Sequence, residues 1–311
     1  MAKQRIILIG GPTASGKSAM AMRIARQTNG MIVNADAMQI YAGLPILTAQ
    51  PDAADRTEIP HRLYEVMDAA EASSAGKWLT LARAAIAEVW DAGRTPIVVG
   101  GTGMYFHALL GGLADIPPIP DAVRAEAQKL YEEWGEEKFR AELAERDAAA
   151  AGRIARNDRQ RLIRAYEVLA HTGKTLSEWQ DASRKRNGIP SPSWGGLGRG
   201  ARGEIIPIQR HLIMPPREEL YAACDKRFAS MIERGAIEEV RDLMARNLPP
   251  SPGSGPGQAL PAMKILGVRE IAAHLRSETS LDTAIAKAQQ ATRNYAKRQV
   301  TWFRGRWNTP Y

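Results

Sequence analysis

The segment from Gly11 to Ser18, GPTASGKS, constrains the fold of this chain more than any other feature. It fits the pattern G-x-x-x-x-G-K-[ST] and lies between an apolar run, Ile6 to Ile9, and a helical stretch from Lys17 to about Gln27. In such a loop, glycines let successive N–H groups point at one anion, and the helix N-terminus adds positive potential. The pattern predicts diphosphate binding by Gly11, Pro12, Thr13, Ala14, Ser15, Gly16, Lys17 and Ser18. Lys17 would reach the terminal phosphates, and the Ser18 hydroxyl would hold Mg²⁺.

The order of the other elements predicts an α/β fold, a P-loop core whose parallel sheet is flanked by helices, with an all-helical insertion. Short apolar runs at 6–9, 31–33 and 96–99 are typical of buried parallel strands and alternate with helical segments such as 78–92. After the prolines at 117–120, residues 121–180 are expected to be helical, with a cap at 157–158 and a stop at Gly173. We predict a core formed by 1–117 and 204–311 and a helical insertion at 118–203. Loops are expected at 183–203 and 249–261, and a strand at 205–214.

Charge and composition narrow the classes of partner and compartment. The 311 residues include 42 Lys and Arg against 34 Asp and Glu, a formal net charge of +8. This excess favours a polyanionic partner, although charge spread evenly over the surface is the alternative. The one cysteine, Cys224, excludes an internal disulfide and a metal cluster held by thiolates, which fits the reducing cytoplasm. No apolar run approaches the ~20 residues that span a bilayer, so we expect no membrane association.

Two further segments predict side chains in the same crevice as the loop. Asp36 follows the strand at 31–33, and ligands bind at the carboxyl ends of strands in open α/β sheets. Its carboxylate could support Mg²⁺, act as a base or hydrogen-bond acceptor, or cap a helix. Thr102 follows the strand at 96–99 within Gly100 to Gly103 and should face the same crevice, unless the glycines form an ordinary turn.

Basic residues gather in three segments that together favour a nucleic-acid surface. One contains Arg159, Arg161 and Arg164, and a second is 184–186. In the third, a helix over 292–304 would place Arg293, Lys297 and Arg304 on one side, opposite Ala288, Ala291, Tyr295 and Trp302. A solvated charged face would explain any one segment. Three of them, with the net charge, favour RNA or DNA as the partner.

The sequence resembles the tRNA dimethylallyltransferase family, also called tRNA isopentenylpyrophosphate transferases. The matching segments are GPTASGKS at 11–18, NADAMQIY at 34–41, TAQP at 48–51, PHRL at 60–63, VGGTGMYF at 99–106, NDRQRLIRAYEV at 157–168, RF at 227–228 and TRNYAKRQVTWFR at 292–304. They occur in the family's order over nearly the whole chain. Departures are Ala37 for a usual Ser, Leu47 and Gln50 for a Gly and a Lys, and Val268 for a Tyr. These departures bear on the details of tRNA contact more than on the reaction.

The resemblance implies transfer of a dimethylallyl group from dimethylallyl diphosphate to N6 of adenosine 37 in tRNA, with Mg²⁺ as cofactor. The loop would hold the donor's diphosphate rather than ATP as substrate, although it is often labelled nucleotide-binding. Asp36 would accept a hydrogen bond or proton from the amine, and Thr102 and Arg227 would steady the leaving group. The implied tRNA contacts are Asp36, Ala37, Met38, Gln39, Thr102, Arg124, Gln160, Arg161, Leu162, Ile163, Arg164, Lys264, Gly267, Arg269, Arg293, Lys297 and Arg298. The insertion would grip the anticodon stem-loop, and we expect a monomer.

Three alternatives compete with this interpretation. A P-loop kinase of a small metabolite would explain the loop but not the DAMQ segment, the insertion or the basic tail. An adenylate isopentenyltransferase would use free AMP, whereas the helical insertion with its arginines favours a large acceptor. A non-catalytic RNA-binding protein would keep only the anion loop.

Overall fold

The computed structural model describes residues 4–111, 113–187, 206–246 and 260–307, and only the backbone of 183–187. These residues fall into two compact units: 4–110, 206–246 and 260–307 in the first, and 111 and 113–187 in the second. We expected the helical unit to begin at residue 118, whereas it begins at Gly111. Its other expected boundary, at 203–204, and the expected loop over 249–259 lie outside the described residues.

The first unit is built around a parallel sheet that contains five strands among the described residues. These are β1 (Ile6–Gly10), β2 (Gly30–Asn34), β3 (His61–Arg62), β4 (Thr95–Gly100) and β5 (Ile208–Leu212), in the order β3-β2-β4-β1-β5. The predicted strands at 6–9, 31–33 and 96–99 are confirmed, and the one expected over 205–214 is shorter. The continuous apolar runs of β1, β2 and β4 follow from their burial on both faces of the sheet.

Helices make up most of the remaining described structure. They are α1 (Lys17–Thr28), α2 (Ala53–Glu58), α3 (Ala75–Asp91), α4 (Gly103–Gly111), α5 (Asp121–Arg146), α6 (Ala148–Arg153), α7 (Arg159–Thr172), α8 (Leu176–Asn187), α9 (Arg217–Glu233), α10 (Ala236–Ala245), α11 (Val268–Leu275) and α12 (Leu281–Arg306). A short 3₁₀ turn, Pro261–Lys264, precedes α11. Helix α1 packs on β1, β2 and β4, and α3 packs on β2 and β4, so helices cover the sheet as predicted. Within the described residues, none of the helices combines the length and the apolar composition that a membrane span requires.

Helix α12 lies closer to the sheet than an ordinary surface helix could. It packs on α9 and α11, and its buried residues recur every three or four positions: Ala284, Ala288, Thr292, Ala296, Gln299 and Phe303. A Cβ atom on Gly10 would lie 2.6 Å from Trp307 and 2.7 Å from Phe303, and one on Gly103 would lie 2.1 Å from Trp302. The two glycines therefore let the end of α12 rest directly on the end of β1 and the start of α4.

The second unit is helical throughout its described elements, which are α5 to α8. Its core contains Phe139 and Leu143 from α5 together with Leu162 from α7. Asp158 accepts a hydrogen bond from the Arg161 backbone, and Gly173 closes α7 at φ +70°, so the predicted cap and stop are confirmed. Helix α8 continues to Asn187, so the loop expected from residue 183 was placed too early; residues 188–203 lie outside the described residues.

Candidate active site at the carboxyl ends of the strands

The predicted phosphate loop connects β1 to α1 and contains two residues with left-handed backbone conformation. Ala14 has φ +60° and Gly16 has φ +85°, both in the left-handed region. Gly16 precedes α1, whose first turn carries no side-chain cap, so its N–H groups remain available to an anion. The Ser15 hydroxyl is buried and has no hydrogen-bond partner among the described residues. The loop thus combines unused donors with the positive end of a helix.

The Lys17 ammonium lies in the concave side of this loop. Its Nζ atom donates a hydrogen bond to the Pro12 carbonyl. Burial lowers the pKa of Lys17 to about 8, while the Asp36 carboxylate opposes the shift and the Arg227 guanidinium adds to it. Burial removes water from the Lys17 ammonium, so an anion that binds beside it interacts with a poorly solvated positive charge.

Arg227 supplies a second cation from helix α9. Its Nη2 atom donates to the Thr13 hydroxyl across 214 residues of sequence. Burial lowers the pKa of this guanidinium, and Asp36 partly compensates. Lys17 and Arg227, both predicted from the sequence, therefore each donate a hydrogen bond to the phosphate loop.

Asp36 lies in a tight turn directly after β2. The buried Asn34 side chain donates to the backbone oxygens of Asp36 (3.1 Å) and Leu63 (3.0 Å) and accepts from Asp36 N (2.8 Å). The Asp36 Oδ1 atom accepts from Met38 N at 3.0 Å. The carboxylate thus caps a turn, and the alternative of a helix cap is wrong, because the next helix begins at Ala53. Its remaining oxygen lies 3.3 Å from the position that a Cβ atom on Gly101 would occupy.

Thr102 joins the end of β4 to this turn. Its hydroxyl accepts from Ala37 N at 2.9 Å, and its N–H donates to Ala35 O at 3.1 Å. The Tyr295 hydroxyl forms a hydrogen bond with the Thr102 side chain, and burial followed by the nearby Asp36 charge raises the pKa of Tyr295. A Cβ atom on Gly100 would lie 2.0 Å from the Ala35 oxygen, so glycine is needed where the two strand ends meet. Asp36 and Thr102 are therefore neighbours, as predicted.

A pocket opens among these groups, and its lining combines polar and apolar side chains. The polar lining residues are Thr13, Asp36, Thr48, Arg227, Thr292 and Tyr295. The remainder is formed by Met38, Leu47, Cys224, Phe228, Met231 and Leu266. A ligand that carries both an anionic group and a small apolar group suits such a lining.

The chain matches the family model described as IPP transferase over residues 39–306, and one described as Isopentenyl transferase over residues 4–68. The chain belongs to the IPP transferase family. The resemblance carried by the sequence motifs is thereby confirmed.

Individual relatives of this IPP transferase are similar over almost its whole length. Proteins named tRNA dimethylallyltransferase are 50% identical in Caulobacter sp. strain K31 (98% of this chain, 91% of the relative) and 51% identical in Phenylobacterium zucineum (97% and 90%). The crystal structure of the tRNA isopentenylpyrophosphate transferase from Bacillus halodurans matches with a TM-score of 0.64 at 28% identity, covering 98% of this chain and 88% of that one. A eukaryotic dimethylallyltransferase described as acting on tRNA matches with a TM-score of 0.77 at 25% identity, covering 97% and 70%.

The residues expected to touch tRNA fall into three environments in this IPP transferase. Exposed cations and amides are Arg124, Gln160, Arg161, Lys264, Arg269, Lys297 and Arg298. Partly buried are Asp36, Ala37, Met38, Gln39, Thr102, Arg164 and Arg293, and buried are Leu162, Ile163 and Gly267. Gln39 donates to the backbone oxygens of Thr48 and Ala49, and Arg293 is paired with Asp225 at 2.6 Å, so both also hold the fold together.

Leu162 and Ile163 correct the sequence-based expectation. Both are buried in the core of the helical unit, with exposed fractions of 0% and 6%, so their side chains form no surface for tRNA. Gly267 is also buried, and a Cβ atom there would lie 2.8 Å from Phe228. The expected orientation of α12 is confirmed for Lys297 and Arg304, which are exposed, and for Ala288, which is buried; Ala291, Tyr295 and Trp302 are partly buried. Arg293 was expected on the exposed side, but its side chain is only 23% exposed because it pairs with Asp225 of α9.

Sequence reasoning missed several residues that hold the site together. Asn34 organises the Asp36 turn, and the half-buried Glu239 accepts from Ile46 N (2.6 Å) and Leu47 N (2.8 Å) beside the pocket. Gln299 bonds to both the phosphate loop and the Gly101 turn. Helical periodicity could have placed Gln299 on the buried face with Ala288 and Phe303. Nothing in the sequence pattern indicates its two partners.

Proposed function

We propose that this chain is a tRNA dimethylallyltransferase that transfers the dimethylallyl group of dimethylallyl diphosphate to N6 of adenosine 37 in tRNA. The observation that carries the proposal is the pocket, whose lining combines Thr13 of the phosphate loop, the Arg227 guanidinium and the Asp36 carboxylate with apolar side chains. The proposal includes a cytoplasmic enzyme, which fits the single cysteine of the chain, and it includes a monomer.

The donor's two chemical parts match the two kinds of side chain around the pocket, polar and apolar. The diphosphate would accept hydrogen bonds from the loop 11–18 and the start of α1, with Lys17 and Arg227 alongside. The apolar dimethylallyl group would lie against side chains such as Phe228 and Leu266. As the allylic C–O bond breaks, negative charge grows on the diphosphate, and donors already in place stabilise it without reorganising.

The acceptor amine would meet Asp36. An aromatic amine is a weak nucleophile, so a positioned carboxylate assists by taking its proton as the N–C bond forms. Thr102 lies beside this carboxylate and could bond the same nucleotide, because its hydroxyl can both donate and accept. A base within a stacked anticodon loop must leave the stack to reach the pocket, so the nucleotide would be flipped.

Magnesium fits this site as an ion shared with the substrate. The described residues contain no group of three His, Cys, Asp or Glu side chains that could hold a metal. Ser18 is exposed at the start of α1, next to the proposed diphosphate position. Mg²⁺ commonly uses one or two protein oxygens with phosphate oxygens and water, so Ser18 suffices as a protein ligand, with Asp36 as a second candidate. The bound ion would offset charge on the leaving diphosphate.

The decisive experiment incubates the purified protein with dimethylallyl diphosphate, Mg²⁺ and unmodified tRNA, and analyses the nucleosides by mass spectrometry. We expect N6-dimethylallyladenosine in this tRNA and none in the same tRNA with guanosine at position 37. Parallel reactions replace tRNA with AMP, and the prenyl donor with ATP plus candidate metabolites. Prenyl transfer to AMP alone, or phosphate transfer from ATP alone, would contradict the proposal.

Donor binding should weaken as the pH rises through the pKa of Lys17. That pKa is lowered to about 8, so the ammonium is mostly charged at pH 7 and mostly neutral at pH 9. If only the charged form binds, the Kd for dimethylallyl diphosphate rises about tenfold over this range. The measurement is isothermal titration calorimetry at several pH values. Lys17→Arg is the control because guanidinium stays charged; parallel curves for the two proteins would contradict the assignment.

Replacing Arg161 and Arg164 together by Gln should weaken tRNA binding and reduce its salt dependence. The Arg161 side chain is 73% exposed and that of Arg164 39% exposed, on the helical unit. Two lost phosphate contacts would reduce the slope of log K against log salt by roughly 1.5. The control, Arg241→Gln with Arg276→Gln, removes the same charge from exposed positions outside the predicted tRNA contacts. An unchanged slope in the first variant would exclude this surface.

A further inference from the structure

We propose that Gln299 is a positioning residue that fixes the diphosphate loop relative to the acceptor side of the active site. The proposal rests on the proposed function, because it assigns the two loops to the two substrates. Gln299 lies on α12, far in sequence from both loops, and only 5% of the residue is exposed.

The two ends of the Gln299 amide bond to different loops. Its Oε1 atom accepts from Thr13 N at 2.8 Å, and its Nε2 atom donates to Gly101 O at 2.9 Å. A backbone N–H needs an acceptor and a carbonyl needs a donor, so these partners also fix the orientation of the amide. One side chain therefore spans the gap between the loop that holds phosphate and the turn that carries Thr102.

The absence of a side chain at Gly101 leaves room for the Gln299 amide between the two loops. A Cβ atom on Gly101 would lie 2.2 Å from Gln299 Nε2, so any larger residue at 101 would expel the amide. The same helix rests on Gly103 through Trp302, one turn further along. The glycines of the segment at 100–103 therefore serve helix α12 as well as the strand ends.

Each partner of Gln299 is connected directly to a group of the proposed chemistry. Gln299 accepts a hydrogen bond from the Thr13 N–H, and the Thr13 hydroxyl accepts one from Arg227. Gln299 donates to the Gly101 carbonyl, and the next residue, Thr102, accepts a hydrogen bond from Ala37 N beside Asp36. A shift of either loop would therefore change the distance between leaving group and nucleophile. Misplacement of about 1 Å can reduce a rate on the order of 10²-fold, so a residue that sets this distance affects kcat without touching substrate.

The first test replaces Gln299 by Leu, which has similar bulk and neither hydrogen bond. With tRNA and dimethylallyl diphosphate saturating, we expect kcat to fall on the order of tenfold to a hundredfold. The Kd for tRNA should stay within about twofold, because α12 keeps its exposed cations. A kcat equal to that of the wild type would overturn the proposal.

The second test separates positioning from general destabilisation. Gln299→Glu keeps the shape and accepts from Thr13 N, but its carboxylate opposes the Gly101 carbonyl until it is protonated. We therefore expect the ratio of wild-type kcat to variant kcat to fall as the pH falls. Lys17, Asp36 and Arg227 are the charged groups around these loops in both proteins, so taking the ratio removes the pH dependence that the two proteins have in common. Destabilisation alone would not restore activity at lower pH.

Gln27→Glu is the matched control, because Gln27 is exposed near the far end of α1 and the substitution changes the charge equally. We expect its kcat and its pH profile to match the wild type. A ratio for Gln299→Glu that is flat with pH, or that follows the Gln27 control, would overturn the proposal. If the wild type itself transfers no prenyl group to tRNA, the proposed function fails instead, so the two failures are distinct.

Discussion

Asp36→Asn is expected to bind tRNA and dimethylallyl diphosphate but to lose turnover by a factor of about 10² or more. The carboxylate lies beside Lys17, Arg227 and Thr102, where the acceptor amine would meet the prenyl carbon. An amide in its place cannot take the amine's proton, so the N–C bond would form from a poorer nucleophile. The measurement is the single-turnover rate at saturating substrates, with product quantified as modified nucleoside.

Asn is the sharper substitution here because the Asp36 side chain also shapes its turn. An asparagine oxygen can still accept from Met38 N, whereas Ala would remove that bond along with the charge. Asp36→Ala is expected to show at least the same loss of turnover while keeping tRNA binding. Asp91→Asn, at the exposed end of α3, is the control for removing one negative charge and should react as the wild type does. Equal turnover of Asp36→Asn and the wild type would remove Asp36 from the mechanism.

The parallel sheet and the place of Asp36 and Thr102 could be predicted from sequence because their signals are local. A continuous apolar run followed by a polar residue indicates a buried strand and its carboxyl end, and parallel strands bring those ends to one edge. Strand β3 was missed because its two residues, His61 and Arg62, are polar and only partly buried. They are held in the sheet by pairing with β2, which no local pattern reports.

The connections within the site could not be predicted, because they join residues far apart in the sequence. Gln299 lies 286 residues from Thr13 and 198 from Gly101, and Arg227 lies 214 from Thr13. A family motif identifies such residues as important without saying what they touch. In the motif at 157–168, by contrast, neighbouring residues were wrongly given the same role. Helix geometry turns Leu162 and Ile163 into the core while Arg161 faces solvent.

Replacing Arg227 by Met is expected to reduce kcat by roughly 10²- to 10³-fold, because its guanidinium would stabilise charge on the departing diphosphate. The guanidinium is partly buried and donates to the Thr13 hydroxyl in the phosphate loop. Arg227→Lys keeps the charge but loses the fork of donors, so an intermediate rate is expected. Thermal unfolding should show no loss of stability in Arg227→Met, since a buried cation with incomplete pairing costs desolvation that a methionine avoids.

The pH dependence of donor binding in Arg227→Met distinguishes an electrostatic role of Arg227 from a purely steric one. The Arg227 charge contributes to lowering the pKa of Lys17, so its removal should move the midpoint of pH-dependent donor binding above about 8. Arg217→Met, on the exposed start of the same helix, removes one positive charge and should leave both kcat and the midpoint unchanged. If Arg227→Met retained the wild-type rate, the diphosphate would have to be stabilised without it, and Lys17 with the start of α1 would carry that charge alone.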